Sequence, residues 1–245
     1  MISILIPIYN GIEFIEESVS SVLRQTYDKW ELIIGVNGHP RDSAVYKIAK
    51  EYEKRSDKIR VLDLFQIRGK SHALNEMVKH CSHDYVALLD VDDIWHDQKL
   101  EVQSAALNQY DVIGSNCLWF GDRNNVVPSI PVGDISNFGF STVNPIINSS
   151  SVIRRGLCQW NSNWEGVEDY DMWLRLRAHR KRFFNCAQVL VKHRIHASSA
   201  FNSKGNDDKV DSLLISHGYR PRVQQEMSET KITVPQVNKI GMMLL

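Results

Sequence analysis

Ile2-Ser3-Ile4-Leu5-Ile6-Pro7-Ile8 is apolar at nearly every position and rich in β-branched side chains. A strand of that kind is covered on both faces, as in a parallel sheet, because half-exposed strands alternate apolar with polar residues. Asn10-Gly11 then turns the chain. From Ile12, apolar residues recur at Ile15, Val19 and Val22, while Glu13, Glu16 and Glu17 crowd the first turns and Arg24 lies near the end. That spacing and charge order describe an amphipathic helix matched to its own dipole. The alternation continues, with strands expected at Glu31–Ile34, Ile59–Leu64 and Tyr85–Leu89 and helices around Val45–Tyr52 and Ser71–Val78. Strand and helix in turn build βαβ units, so the expected class is α/β, a Rossmann-like, mostly parallel central sheet flanked by helices. Right-handed crossovers put helices on both faces and gather ligands at the carboxyl ends of the strands.

Periodicity weakens after an expected strand at Val112–Gly114. Gly121–Pro145 is rich in Gly, Pro, Asn and Ser and reads as an irregular, acceptor-side loop. A helix near Tyr170–Ala178 and a short strand at Val189–Val191 follow. Beyond Ser203 the run Lys-Gly-Asn-Asp-Asp-Lys reads as a polar linker to a tail ending in the apolar Met242–Leu245. The expected organisation is a single domain over residues 1–203 with a C-terminal extension over 204–245.

Lys plus Arg number 29, as do Asp plus Glu, so no global field favours nucleic acid or an anionic membrane, and a phosphate-bearing ligand must be held locally. Cys81, Cys117, Cys158 and Cys186 lie far apart without Cys-x-x-Cys spacing and read as reduced thiols. The first strand-like run follows Met1 directly, with no basic n-region, long apolar h-region or transit peptide before it, so no leader is expected. No apolar run reaches the roughly 18 residues a membrane span needs. The expected location is the cytoplasm, with peripheral contact at a membrane compatible with it.

Three constellations could carry chemistry. Asp90-Val91-Asp92-Asp93 directly follows an apolar strand, where ligands of open α/β sheets bind. On an extended segment Asp90 and Asp92 point the same way, and a hard divalent cation, Mg²⁺ or Mn²⁺, would relieve the repulsion between these carboxylates and a diphosphate. The same residues also suit a solvated turn in which Asp93 caps a helix near His96. Glu168-Asp169 precedes an aromatic-rich helical segment; acidic residues there also simply complement the helix dipole, by about 0.3–1 kcal/mol each. Trp164 is a sugar-stacking platform or a core residue. In His193-Arg194-Ile195-His196, alternation puts Arg194 and His196 on one face. His196 is a hydrogen-bonded structural residue or, beside an acidic cluster, part of a mixed nitrogen and oxygen site, and Arg194 holds either a phosphate or a surface carboxylate.

Taken in order, these segments resemble the large inverting family 2 of glycosyltransferases, which has the GT-A fold. The likeness runs from Met1 to about Ser199 and rests on Ser3–Asn10, Ser21–Thr26, Gly69-Lys70-Ser71-His72-Ala73-Leu74-Asn75, the Asp90–Asp93 cluster, Glu168-Asp169 and Arg194-Ile195-His196. The resemblance implies that Pro7 and Tyr9 line a nucleotide pocket, that Lys70 helps hold the nucleotide, and that Asp90 contacts ribose or metal. It further implies that Asp92 and His196 bind the metal at the diphosphate. By the same carry-over Asp169 is the catalytic base and Glu168 positions acceptor or donor sugar, with Arg194 available to the nucleotide. An aspartate at an unperturbed pKa near 3.9 would be ionised at neutral pH without tuning.

One departure stands out. Family members have an Asp-Asp pair after the second strand, whereas this chain reads Gly35-Val36-Asn37-Gly38-His39. Val36 cannot hydrogen-bond, although the Asn37 amide offers both donor and acceptor. The expected activity is metal-dependent, inverting transfer of one sugar from a nucleotide-sugar, a UDP-sugar first, to a hydroxyl of a glycan or other acceptor. The alternative is a catalytically silent nucleotide-sugar or glycan-binding module of the same fold. A nucleotidyltransferase or dehydrogenase is disfavoured, because no glycine-rich loop follows the first strand.

Overall fold

The computed structural model describes residues 1–196 and 206–220. Four parallel strands, β1 (Ile2–Ile8), β2 (Trp30–Asn37), β3 (Ile59–Leu64) and β4 (Tyr85–Leu88), lie in the order β3-β2-β1-β4. They are joined through helices α1 (Ile15–Leu23), α2 (Ala44–Lys50) and α3 (Lys70–Val78). β1 is central, which explains its unbroken apolar sequence. Ile2, Ile4, Ile6 and Ile8 join Val19 and Val22 of α1 in one hydrophobic cluster, whereas Leu5 faces Leu74 and Met77 of α3 in the other.

The remaining elements are β5 (Ile94–Trp95), α4 (Lys99–Ser104), β6 (Val112–Gly121), β7 (Gly133–Asp134), β8 (Val152–Arg154), α5 (Glu168–Ala178), β9 (Phe183–Ile195) and α6 (Asn206–Ser216). They extend the sheet to nine strands through β8, β6, β9 and β5, with β7 on the side of β9. β8 is antiparallel to both β4 and β6, while β6 and β9 run parallel. The sheet is therefore mostly parallel, with helices on both faces, as the sequence leads one to expect.

Two strands are longer than the sequence suggests. β6 continues to Gly121, and β9 spans Phe183–Ile195 rather than Val189–Val191 alone. Their shared ladder slips in register around Asn116, and an irregularity of that kind breaks the two-residue alternation that marks a strand. Asn185, fully buried in β9, adds a polar residue where an apolar one is expected.

Asn185 faces Gly114 across the ladder, and a Cβ at position 114 would lie 2.2 Å from Asn185 Oδ1 and 3.0 Å from Ile146 Cδ1. Gly114→Ala should therefore destabilise the protein by roughly 1–3 kcal/mol, the usual cost of overpacking. Urea unfolding measures it; a wild-type midpoint would show that this part of the sheet yields.

Where the sequence reads a polar linker, Asn206–Ser216 forms α6. Its Leu213 and Leu214 are fully buried in the cluster that holds Tyr170, Trp173 and Leu174 of α5. His217 pairs with Asp171 of α5 at 3.0 Å, and Lys209 Nζ donates to the Glu165 carbonyl at 3.0 Å. The apolar pair was legible, but the Asp207-Asp208 start masks it. Ser198, Ser199 and the tail beyond Arg220, including Met242–Leu245, lie outside the described residues. Among the described residues no helix is long and apolar enough to cross a membrane.

Candidate active site

Beyond β4 the chain makes a tight turn, closed by the Asp93 N–H donating to the Asp90 carbonyl at 3.0 Å. Asp90 and Asp92 are thus not two positions of one extended segment, and each carboxylate has its own partners. Lys70 Nζ donates to Asp90 Oδ1 at 2.5 Å, and Asn148 Nδ2 donates to Asp90 Oδ2 at 3.0 Å. Burial alone would raise the Asp90 pKa, but the Lys70 charge and these hydrogen bonds outweigh it and hold the group below its ordinary value.

Asp92 Oδ2 and His196 Nε2 lie 2.9 Å apart. The Asp92 pKa is raised by burial and then by the neighbouring charges of Asp93 and Asp90, against the hydrogen bond from His196. Among the described residues no lysine or arginine side chain pairs with Asp92, and no group of three metal-ligating side chains occurs. Asp93 is fully buried and caps no helix. Its carboxylate pairs with His193 Nδ1 at 3.0 Å and accepts from the Arg194 N–H at 2.8 Å. Burial opposes the charge on His193, but Asp93 prevails and lifts its pKa to about 9.

Arg194 meets a surface carboxylate, Glu17. Its guanidinium lies between the rings of Phe14 and Phe120, 4.4 and 4.3 Å from their centroids, and Nη2 donates to Glu17 at 2.9 Å. Nε donates to the Asp92 carbonyl at 2.8 Å, so the side chain braces the acidic turn from behind. Only a planar, delocalised cation can be stacked on two faces while its edges hydrogen-bond.

Glu168 and Asp169 open α5. Glu168 is 5% exposed and accepts from the Gly166 N–H at 2.5 Å, while Lys70 Nζ stands 3.9 Å from its Oε1. Burial raises the pKa of both acids, with Lys70 pulling the other way. An ordinary aspartate pKa is thus not what Asp169 has. Lys70 itself is pushed down by burial and up, more strongly, by Asp90 and Glu168, so it stays charged. This one cation links the acidic turn after β4 to the acidic start of α5.

On the other flank, Tyr9 is 56% exposed just past β1, with its ring 5.5 Å from that of His39. Pro7 lies opposite Gly35 in the β1–β2 ladder. Asn37, at the end of β2, is buried, and its Nδ2 has no hydrogen-bond partner. Gly38 beside it sits close enough to Tyr9 that a Cβ would be 2.7 Å from the ring. Trp164 is partly buried against the α5 cluster, which favours a packing role.

Several residues here carry no sequence signal. Asn144 Nδ2 donates to Asp169 Oδ2 at 3.1 Å, and Asn144 and Asn148 both come from or just after the stretch read as irregular. Glu165 accepts from the backbone N–H groups of Lys70 and Ser71, supplying a carboxylate to the start of α3. Gly69, at φ 87°, makes the turn into that helix. Gly69 stands in a run that carries the family resemblance and Glu165 in the Trp-Glu-Gly-Val-Glu-Asp run, whereas Asn144 and Asn148 stand in neither.

The chain is similar to known proteins in sequence and in shape. Residues 3–161 match the profile of glycosyl transferase family 2. A putative glycosyltransferase of Bacillus subtilis, EpsE, is 28% identical over 93% of this chain and 84% of its own length. The Escherichia coli glucosyltransferase WfgD, whose name specifies UDP-Glc as donor and a GlcNAc-diphosphoundecaprenol as acceptor, is 28% identical over 83% of this chain and 81% of its own. In shape, TarS of S. aureus, crystallised with UDP-GlcNAc, aligns with a TM-score of 0.71 at 14% identity over 88% of this chain. This chain spans 65% of that TarS chain. A mannosyltransferase from Pyrobaculum calidifontis, in complex with GDP-Man and Mn²⁺, aligns at 0.65 and 15% identity, covering 88% of this chain and 62% of its own. The structural likenesses establish the GT-A fold, and the profile match over most of the chain, with acidic residues gathered at the carboxyl end of β4, establishes the rest: the chain belongs to glycosyl transferase family 2.

Proposed function

We propose that this glycosyltransferase moves one sugar from a nucleotide-sugar to an acceptor hydroxyl with inversion, in a divalent-metal-dependent reaction. The observation that carries the reading is the Lys70 bridge, with Asp90 on one side and Glu168 and Asp169 on the other. It sets a donor-binding acid and an acceptor-side acid at the two ends of one charge network. In this reading Pro7, Tyr9 and Asn37 line the nucleotide pocket, the orphaned Asn37 amide standing ready for a polar edge of base or ribose. Asp90 and Lys70 hold the ribose and diphosphate region. Arg194 contributes by bracing the turn.

Asp92 and His196 fit Mn²⁺ or Mg²⁺. One carboxylate and one imidazole, with no lysine or arginine on Asp92 among the described residues, are a partial donor set of the kind that leaves remaining positions to substrate phosphates and water. When bound, such a cation neutralises charge on the leaving diphosphate. Asp169 takes the acceptor hydroxyl's proton as that oxygen attacks the anomeric carbon opposite the departing nucleoside diphosphate, and Glu168 positions the sugars. A UDP-sugar is the first choice of donor, supported by the UDP-Glc in the name of WfgD and the UDP-GlcNAc bound to TarS; GDP stands behind it because the Pyrobaculum calidifontis mannosyltransferase is in complex with GDP-Man.

By the same support the acceptor is a glycan or other hydroxyl-bearing molecule, and a lipid-linked one would place a cytoplasmic enzyme peripherally at a membrane. The boundary of the catalytic unit, read at 203 from the sequence, moves past α6 in this proposal, because Leu213, Leu214 and His217 pack on α5.

Purified protein is screened by thermal shift and hydrolysis against UDP-, GDP-, dTDP- and CMP-sugars, with and without Mn²⁺ or Mg²⁺. A true donor at a hundredfold excess over its Kd stabilises by about 2.7 kcal/mol. The expected result is a metal-dependent shift with one nucleotide and slow release of its diphosphate, both lost in Asp92→Ala. Binding without hydrolysis or transfer would favour a silent binding module, the reading to which Val36 in place of an aspartate points.

A further inference from the structure

The loop between β7 and β8 is irregular, yet it reaches the acceptor-side carboxylate with one locked amide. Asn144 Oδ1 accepts from the Ile146 N–H at 3.4 Å, which orients the amide so that Nδ2 donates to Asp169 Oδ2 at 3.1 Å. Ile146 is fully buried and cannot shift freely. The residue between them is pinned more firmly. Asn185 Nδ2, on β9, donates to the Pro145 carbonyl at 2.7 Å and to the Pro131 carbonyl at 2.8 Å. Asn185 is itself fully buried and packed over Gly114, where no side chain fits.

We infer that Asn144 is a positioning residue for Asp169, and that Asn185 is the peg through which the sheet holds Asn144 in place. The inference rests on Asp169 being the base. A neutral amide suits the task. A cation at that distance would hold the carboxylate too firmly to accept a proton, and a second carboxylate would repel it. A fixed N–H donor orients one oxygen and favours the ionised form without supplying net charge. Among the described residues the other charged groups facing Asp169 are Lys70 from α3, Glu168 from its own helix and Asp90 after β4. Asn148, four residues on, serves Asp90 in the same way, so a single short segment sets the direction of one acid at each end of the network.

The test reads the carboxyl group directly and requires neither donor nor acceptor. Full-length protein labelled with [13Cγ]aspartate is titrated by NMR, Asp169→Asn identifying the signal, in wild type, Asn144→Ala and Asn144→Asp. Loss of the amide donor should move the Asp169 midpoint up by about one pH unit in Asn144→Ala. The paired carboxylates of Asn144→Asp should titrate with an upper midpoint higher still. Asn148→Ala, which faces Asp90, should leave the Asp169 signal nearly unmoved. Asn144→Asp is isosteric and carries the comparison alone if Asn144→Ala loses its cooperative melt.

Midpoints unmoved in the position-144 variants, or moved as far by Asn148→Ala, would overturn the assignment. Normal turnover by Asp169→Asn would instead overturn the reading of Asp169 as base, and the titration would still report whether Asn144 orients it.

Discussion

Asp169→Asn should bind its nucleotide-sugar as the wild type does and transfer the sugar about 10²–10⁴ times more slowly, the usual contribution of a positioned general base. The substitution is nearly silent in shape. The new amide oxygen can still accept from Asn144 Nδ2, so α5 and the loop have no reason to move. What is lost is the ability to take a proton. Burial also raises the Asp169 pKa, and a base works only when deprotonated. The wild-type rate should therefore fall as pH drops through that raised value, at a higher pH than an ordinary carboxylate near 3.9 would give. Steady-state transfer across pH, alongside donor affinity by calorimetry, checks both parts. Undiminished turnover in the variant would remove Asp169 from the role.

Lys70→Met should damage both stability and donor binding. The ammonium is the one cation that meets Asp90 directly and lies within 4 Å of Glu168 among the described residues. Methionine fills most of the same volume and leaves Asp90, Glu168 and Asp169 facing one another uncompensated. Breaking a fully buried pair by removing one partner costs about 3–5 kcal/mol. The Lys70 side chain is 33% exposed, so a loss of roughly 2–3 kcal/mol is expected after screening. Donor affinity should drop about 100-fold, since a diphosphate would then approach three unopposed carboxylates. Chemical unfolding and calorimetry with the nucleotide from the donor screen give the two numbers. Wild-type affinity with lowered stability would show that Lys70 only shields the acids from one another.

The parallel half of the fold was legible because β1, β2 and β4 are buried along nearly their whole length and α1 carries a clean apolar stripe. Ile2–Ile8 and Tyr85–Leu88 could hardly be anything else. β9 was hidden by Asn185 and by the slipped ladder with β6, which interrupts the alternation that reveals a strand. In the site, residues of one charge that cluster in sequence were visible, since an acidic turn after a buried strand is an electrostatic puzzle in itself. The arrangement within that turn was not. Apart from the meeting of Asp92 with His196, which the family resemblance implies, it depends on a backbone hydrogen bond from Asp93 to Asp90 that bends the turn and sends Asp90 to Lys70 and Asp93 to His193, side chains distant in sequence. Asn144 and Asn148 were invisible for a different reason: amides in a loop rich in Asn and Ser have no pattern until the sheet fixes where the loop runs.

The seat of α6 on α5 bears on how relatives could exchange parts. The composition break near Ser203 invites a splice there, but a chimera joined at that point would take Leu213, Leu214 and His217 from a foreign parent. Those side chains fill the space over Tyr170 and Trp173 and hold Asp171, one turn or less from Glu168 and Asp169. A graft made after Tyr219 leaves that seam intact, so the interchangeable module ends a helix later than its sequence advertises.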